Sequence, residues 1–134
     1  MSTLTPTVAV HLSLALSALV LGPVALTLKK GQRGHRAAGY AWISAMLGAA
    51  VSALFIRDFQ LPNIAGYTPI HLLVPGTFLG VGVAVWAIVH RDIARHKRAM
   101  WITYLAGGVG AGLFALSPDR LLGQWLWQGV QSLA

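Results

Sequence analysis

The sequence predicts an all-α integral membrane protein: a four-helix bundle built from two repeated helical hairpins, followed by a short interfacial C-terminal helix. Composition and hydrophobic run length support the fold class. The 134 residues are 56% hydrophobic and 10% charged, whereas a soluble domain is typically about 25% charged. The hydrophobic residues form four runs, at 5–28, 37–56, 69–89 and 99–116. Each has about 18–24 residues, enough to cross a hydrocarbon core of ~30 Å as a helix.

A repeat in the sequence predicts the two hairpins. One copy runs from His11 through a basic loop to His35, and the other runs from His71 through a basic loop to His96. The two histidines are 24 residues apart in the first copy and 25 in the second. Such self-similarity indicates two units related by a pseudo-two-fold axis, here along the membrane normal. We expect residues 1–134 to form a single transmembrane domain.

Local signals mark the starts and bends of the spans. Thr5-Pro6 combines an N-cap with a proline at the first helical position, and Thr68-Pro69 repeats that start before span 3. Gly22-Pro23 predicts a kink in span 1. Asp92 is the predicted cap of span 4.

The segments at 57–68 and 119–134, both predicted to lie outside the membrane on the outer side, have different sequence patterns. Residues 57–68 contain Pro62, Asn63 and Gly66, which predict an irregular connection. The tail, residues 119–134, carries leucines, tryptophans and a valine at helical spacing. We interpret this tail as a short amphipathic helix at the outer interface, where tryptophan is favoured.

The basic residues predict the orientation of the chain. Eight of the ten lysines and arginines lie in two loops: Lys29, Lys30, Arg33 and Arg36, then Arg91, Arg95, Lys97 and Arg98. The positive-inside rule therefore places both loops in the cytoplasm and both termini outside, in a multi-pass inner-membrane protein. The net charge of +7 does not indicate nucleic-acid binding, because loops that flank spans meet anionic lipid headgroups first.

The histidines are the strongest functional signal. His11 and His71 lie at nearly the same predicted depth, within the outer apolar part of the bilayer, where an ionisable side chain is costly and usually functional. His35 and His96 lie at the inner headgroup boundary, which makes them the weaker pair. The pseudo-two-fold axis would bring His11 opposite His71 and His35 opposite His96. Two facing imidazoles across a helical bundle suit a haem iron or a small metal site.

We therefore expect a haem b protein with bis-histidine ligation and one haem for each occupied pair. Arg57 and Arg120 outside are predicted to meet haem propionates. Such a protein would carry electrons across the membrane, or between quinol and a periplasmic redox partner. No acid–base pair, nucleophile elbow or phosphate loop predicts a conventional active site.

Two alternatives remain open. The same four histidines could bind copper or zinc in an assembly factor for a respiratory oxidase, although two imidazoles leave a tetrahedral site short of ligands. The absence of cysteine excludes iron–sulfur clusters and thiolate copper sites. In the other alternative, the chain is a structural subunit whose histidines only form hydrogen bonds between helices.

The chain resembles the DUF2306 family of small predicted membrane proteins over nearly its whole length. The most specific match is Arg91-Asp92-Ile93-x-x-His96-x-x-Ala99-Met100. Other matching features are His11, His35-Arg36, Gly39-Tyr40, Met46, Ser52, Phe55-Ile56, Ile70-His71-Leu72-Leu73, Tyr104 and Pro118-x-Arg120. The resemblance implies a four-helix membrane protein, and it implies the same four histidines that the repeat selects. By analogy, the layout is similar to small cytochrome-assembly proteins and to b561-type cytochromes.

Overall fold

The structure is a computed structural model that describes residues 3–59 and 62–134. Within that part of the chain the regular structure is helical, which confirms the all-α prediction. The α-helices are α1 (Pro6–Thr27), α2 (Arg33–Ala53), α3 (Leu73–Val89), α4 (Ile93–Thr103), α5 (Ala111–Ala115) and α6 (Leu121–Leu133). A 3₁₀ turn, Pro69–Leu72, leads into α3, and a π-helical segment, Tyr104–Gly110, joins α4 to α5.

The predicted caps are present at two helix starts. Thr5 Oγ1 accepts a hydrogen bond from Val8 N at 3.3 Å, with Pro6 at the first helical position. Asp92 Oδ1 accepts one from Arg95 N at 3.0 Å. Each cap satisfies a backbone N–H that has no acceptor within the helix. The starts of α1 and α4 are therefore fixed by local sequence.

Helix α2 is displaced towards the N-terminus relative to the predicted span at 37–56. It begins at Arg33 and ends at Ala53. Arginine is a good helix former. The polar, basic residues just before the apolar run therefore form the first turn of α2. Beyond Ala53 the chain forms isolated turns, one of which is closed by a hydrogen bond from Ile56 N to Ala53 O at 3.0 Å.

The helices follow one another around the molecule in chain order. Helix α1 packs along α2, α2 packs against α3, and α3 packs along α4. The π-helical segment returns to α1. As a result α1 lies diagonally opposite α3, and α2 lies diagonally opposite the stretch that begins with α4.

Among the described residues, two helical stretches are long and apolar enough to cross a membrane, Pro6–Thr27 and Pro69–Val89. Helix α2 has 21 residues, but its first turn is basic. The fourth stretch is divided among α4, the π-helical segment and α5. The four-span topology and the internal repeat stay predictions.

A small set of side chains fills the centre of the molecule. Trp42 is 2% exposed and packs with Ala18, Met46 and Val81. The Tyr104 ring lies so close to Gly22 that a β-carbon there would run into it, and the Tyr104 hydroxyl donates to Leu19 O at 3.3 Å. The fourth stretch is thereby fixed against α1.

The predicted irregular connection closes on itself through backbone hydrogen bonds. Asp58 N donates to Gly66 O at 2.9 Å, and Ile64 and Tyr67 pair in an isolated bridge. Gly66 has φ of 84°, the left-handed region that favours glycine. Residues 60 and 61 of the predicted connection lie outside the described residues.

Candidate functional site

His35 and His96 make the same hydrogen bond in the two hairpins. His35 Nδ1 on α2 donates to Ala25 O on α1 at 2.9 Å, and His96 Nδ1 on α4 donates to Ala84 O on α3 at 2.9 Å. A carbonyl oxygen can only accept, so Nδ1 carries the proton in both rings. The Nε2 lone pair is then free, which is the form of imidazole that binds iron and other metals.

His11 is in the same tautomer at the other end of the molecule. Its Nδ1 lies 2.9 Å from Ala49 O and 3.0 Å from Ser52 Oγ, both on α2. Ser52 Oγ also donates to Ala49 O at 2.9 Å. Because the carbonyl only accepts, Nδ1 of His11 is the donor and Nε2 keeps its lone pair.

His71 is in the opposite tautomer. Thr68 N donates to His71 Nδ1 at 3.1 Å, and His71 Nε2 donates to Ile56 O at 3.0 Å. The Tyr67 ring lies edge-on to the imidazole, with the ring centroids 5.1 Å apart. Both ring nitrogens of His71 are therefore used within the protein, and neither has a lone pair left for a metal in this arrangement.

The two predicted pairs lie on diagonally opposite helices. His11 lies on α1, and His71 lies in the 3₁₀ turn that leads into α3. His11 bonds to Ala49 O near the C-terminal end of α2, and His71 bonds to Ile56 O in the turn that follows α2. His35 and His96 stand on the first turns of α2 and α4. His90, which has no counterpart in the repeat, is exposed and bonds within its own helix to Trp86 O at 2.8 Å.

Arg120 lies in a half-buried ion pair that ties the start of α6 to the connection before α3. Its Nη1 is 2.7 Å from Asp58 Oδ2, and its guanidinium lies 4.7 Å from the centroid of the Phe114 ring. Its Nε and Nη2 are buried with no hydrogen-bond partner within the part of the chain that the structure describes. A guanidinium edge with two unpaired donors matches the geometry of a carboxylate.

Arg57 is engaged elsewhere. Its Nη1 donates to Ala65 O at 2.5 Å, and its guanidinium lies 4.0 Å from the centroid of the Tyr67 ring. Asp58, although adjacent to Arg57 in sequence, forms an ion pair with Arg120, 62 positions away. The predicted propionate contact therefore suits Arg120 better than Arg57.

The donor chemistry of the chain fits a haem in part. His11, His35 and His96 present the ligand tautomer, and Arg120 presents unpaired donors for a carboxylate. Gly39, one turn beyond His35, is half-buried, and a β-carbon there would meet no other helix within 4 Å. The face beside His35 is thus open. His71 does not fit as an axial ligand unless it first releases Ile56 O.

A metal held by protein ligands alone has less support. Within residues 3–59 and 62–134 no group of three histidine, aspartate or glutamate side chains comes together that could hold a metal ion. A structural zinc site takes four protein ligands and a catalytic one takes three. The histidine pairs would need further ligands from elsewhere.

Sequence reasoning found the histidines but not their partners. The acceptors Ala25, Ala49 and Ala84 act through backbone carbonyls, which every residue carries, so no residue type marks them. Ser52 carried a weak signal, as a polar side chain in an apolar span. The tautomer of His71 depends on Ile56 O, whose position is set by the turn that follows α2.

Together, the helices and the apolar spans define a helical membrane protein. The family model that describes a predicted membrane protein, DUF2306, matches residues 8–120. The chain belongs to that family, as the sequence motifs predicted. No curated protein and no solved structure matches the chain.

Proposed function

We propose that this membrane protein binds haem b through pairs of histidines, and that it carries electrons across the membrane or between quinol and a redox partner. The matched hydrogen bonds of His35 and His96 carry the proposal. Both rings donate Nδ1–H to a carbonyl on the neighbouring helix at 2.9 Å, so both keep Nε2 as a ligand. A hydrogen bond from Nδ1–H to a carbonyl also fixes the orientation of the ring and raises the basicity of Nε2 as a ligand.

The sequence indicated His11 and His71 as the stronger pair of candidate ligands, whereas the hydrogen bonds favour His35 and His96. His35 and His96 share one tautomer and one bonding pattern, whereas His11 and His71 differ in both. The inner pair is therefore the better candidate for a six-coordinate haem. The outer pair needs a tautomer change at His71, and Arg120 would then supply donors to a propionate.

Each group has a defined part in this proposal. A bound haem supplies a one-electron couple. His35 and His96 would hold the iron through Nε2, and their hydrogen bonds to Ala25 O and Ala84 O keep the rings oriented. Gly39 leaves space on the face of α2 beside His35. Arg120 neutralises a carboxylate at the other end of the molecule, where its own partner Asp58 leaves two of its nitrogens free.

A reduced-minus-oxidised optical spectrum of detergent-purified protein from haem-supplied cells, with a pyridine haemochrome assay, tests the proposal. We expect a six-coordinate b-type spectrum. His35→Ala and His96→Ala should each lower the haem-to-protein ratio. His90→Ala is the matched control, because His90 also donates Nδ1–H to a carbonyl but is exposed and outside both pairs. A colourless protein contradicts the proposal.

The same assay tests whether His11 and His71 also bind haem. If they do, His11→Ala and His71→Ala, each as a single substitution, should also lower the haem-to-protein ratio. If only the inner pair binds haem, both variants keep the full ratio. Metal analysis of the same purified samples shows whether the protein binds copper or zinc in place of haem.

A structural role is the second candidate, favoured by one specific observation. All four paired histidines donate to a carbonyl of another helix or turn. In that case His35→Ala lowers the free energy of unfolding by about 0.5–1.5 kcal/mol, the net value of one hydrogen bond. It changes no ligand, so the spectrum separates this role from haem binding.

A further inference from the structure

Helix α6 leaves the rest of the molecule after its first turn. Its start is tightly packed, since a β-carbon on Gly123 would run into Ser117 O. Beyond that turn the apolar side chains are open to the surroundings: Trp125, Leu126, Trp127 and Val130 are 46–49% exposed, and Leu133 is 89% exposed. The fold fixes where α6 begins and leaves its apolar side without a protein partner in the described chain.

The side chains of α6 separate into two faces. Leu122, Val130 and Leu133 lie within about 40° of Leu126 around the helix axis, at ~100° per residue. Gln124, Gln128 and Gln131 lie on the opposite side. Trp125 and Trp127 each lie about 100° from Leu126, on either side of it, so the indoles stand at the two boundaries between the faces.

This arrangement fits the boundary between headgroups and acyl chains. Tryptophan prefers that depth because its ring is apolar and its N–H is polar. Leu113 and Leu116, at the end of the helical stretch just before α6, are exposed as well.

Length and charge narrow the mode of binding. With 13 residues, α6 is about 20 Å long, too short to cross a hydrocarbon core of ~30 Å. Residues 121–134 contain no charged side chain. Attraction to anionic headgroups therefore cannot hold the helix at the surface, and burial of its apolar side is the remaining driving force.

We propose that α6 is a membrane-surface helix that binds the lipid interface, in the plane of the bilayer, without selecting for headgroup charge. Leu122, Leu126, Val130 and Leu133 are immersed, the glutamines face water, and the two tryptophans lie at the headgroup level. Arg120, directly before α6, is then held with Asp58 at the same level. This inference does not depend on haem binding.

Because the chain has no cysteine, single cysteines can be placed in the full-length protein without a background. We would attach a nitroxide at Leu126→Cys, Val130→Cys, Gln128→Cys and Gln131→Cys in vesicles of zwitterionic phosphatidylcholine. The labels at 126 and 130 are expected to be accessible to oxygen and shielded from a water-soluble nickel complex. Those at 128 and 131 are expected to show the reverse.

Three further outcomes decide the matter. Addition of anionic lipid or high salt should leave the depth of the labels unchanged, and a marked change would overturn the charge-independent mode. Labels that are all exposed to the nickel complex would place α6 in water. Labels at 126 and 130 that are shielded from both reagents would mean that protein, such as a second copy of the chain, covers the face.

A variant controls for the apolar face itself. Leu126→Gln with Val130→Gln should move a label at position 133 into water, because the apolar side is interrupted. Gln128→Ser, on the opposite face, should leave that label immersed. If the double variant leaves the label where it was, the apolar face does not hold the helix.

Discussion

Arg91 adopts a left-handed backbone conformation between α3 and α4, with φ of 58°. The turn closes α3 through hydrogen bonds from Arg91 N to Ile88 O at 3.1 Å and from Asp92 N to Ala87 O at 2.8 Å. Glycine is the usual residue at such a position, because a β-carbon clashes with the backbone there. We predict that Arg91→Gly raises the free energy of unfolding by roughly 0.5–1 kcal/mol.

The measurement is denaturant unfolding in detergent micelles, and Arg95 supplies the control. Arg95 lies within α4, where glycine is less favourable than a good helix former by about 1 kcal/mol. The same substitution should therefore have opposite signs at positions 91 and 95. Loss of stability in both variants would contradict the idea that the left-handed conformation is strained.

The Asp58–Arg120 pair gives a second prediction at the residue scale. The two side chains are only 19% and 21% exposed, so the pair is weakly screened, and removing Asp58 takes away the carboxylate that faces the half-buried guanidinium of Arg120. We expect a double-mutant cycle with Asp58→Ala and Arg120→Ala to yield a coupling of roughly 1–3 kcal/mol. An exposed pair is worth about 0–1 kcal/mol.

The pair Asp92–Arg95 is the matched comparison for that cycle. Its side chains are 39% and 55% exposed and lie 3.4 Å apart, three residues along the chain. Its coupling should be smaller than that of Asp58 with Arg120. Equal couplings would show that burial does not strengthen the Asp58–Arg120 pair.

At the scale of the elements, the contact between α3 and α4 rests on a glycine. A β-carbon at Gly80 would run into Thr103 Oγ1, while one at Gly76, a turn earlier on α3, would meet nothing within 4 Å. Thr103 is buried and its hydroxyl is committed to Ala99 O at 2.8 Å, so it has little freedom to move aside. We predict that Gly80→Ala lowers the free energy of unfolding by about 1–3 kcal/mol.

Gly76→Ala is the control on the same helix. Alanine is favoured over glycine in a helix by up to about 1 kcal/mol, and nothing opposes it at position 76. Its unfolding free energy should stay the same or rise. Destabilisation by both alanines to the same extent would mean that the two helices are not in close contact at Gly80.

The ends of helices were predictable where a capping side chain sets them, and less predictable where contacts between helices set them. Thr5 and Asp92 were identified because capping depends on the residue type next to the helix. The π-helical segment from Tyr104 was not foreseen, because no residue pattern in the sequence marks it, and the contact of its first residue with Gly22 joins positions 82 apart in sequence. The four histidines were found from their spacing, but the tautomer of His71 depends on a turn whose geometry no motif encodes.

For the whole molecule, the sequence predicts four spans with both basic loops in the cytoplasm, while two stretches have the length and apolarity to span. The four-span and two-span topologies place particular residues on different sides of the membrane. If α2 spans, Gln32 and Ile64 lie on opposite sides of the membrane. If only α1 and α3 span, the two residues lie on one side. The fourth stretch is tested in the same way by Ala94 and Gln131.

The last prediction uses the absence of cysteine in the chain. Gln32→Cys, Ile64→Cys, Ala94→Cys and Gln131→Cys all replace exposed residues, so each can be labelled in intact cells with a membrane-impermeant maleimide. Four spans predict labelling at 64 and 131 and protection at 32 and 94, because basic loops stay in the cytoplasm. Lysed cells, in which all four positions should react, are the control. Equal labelling at 32 and 64 would show that α2 does not cross, and His11 on α1 could then not form its hydrogen bonds to Ala49 O and Ser52 at the far end of α2.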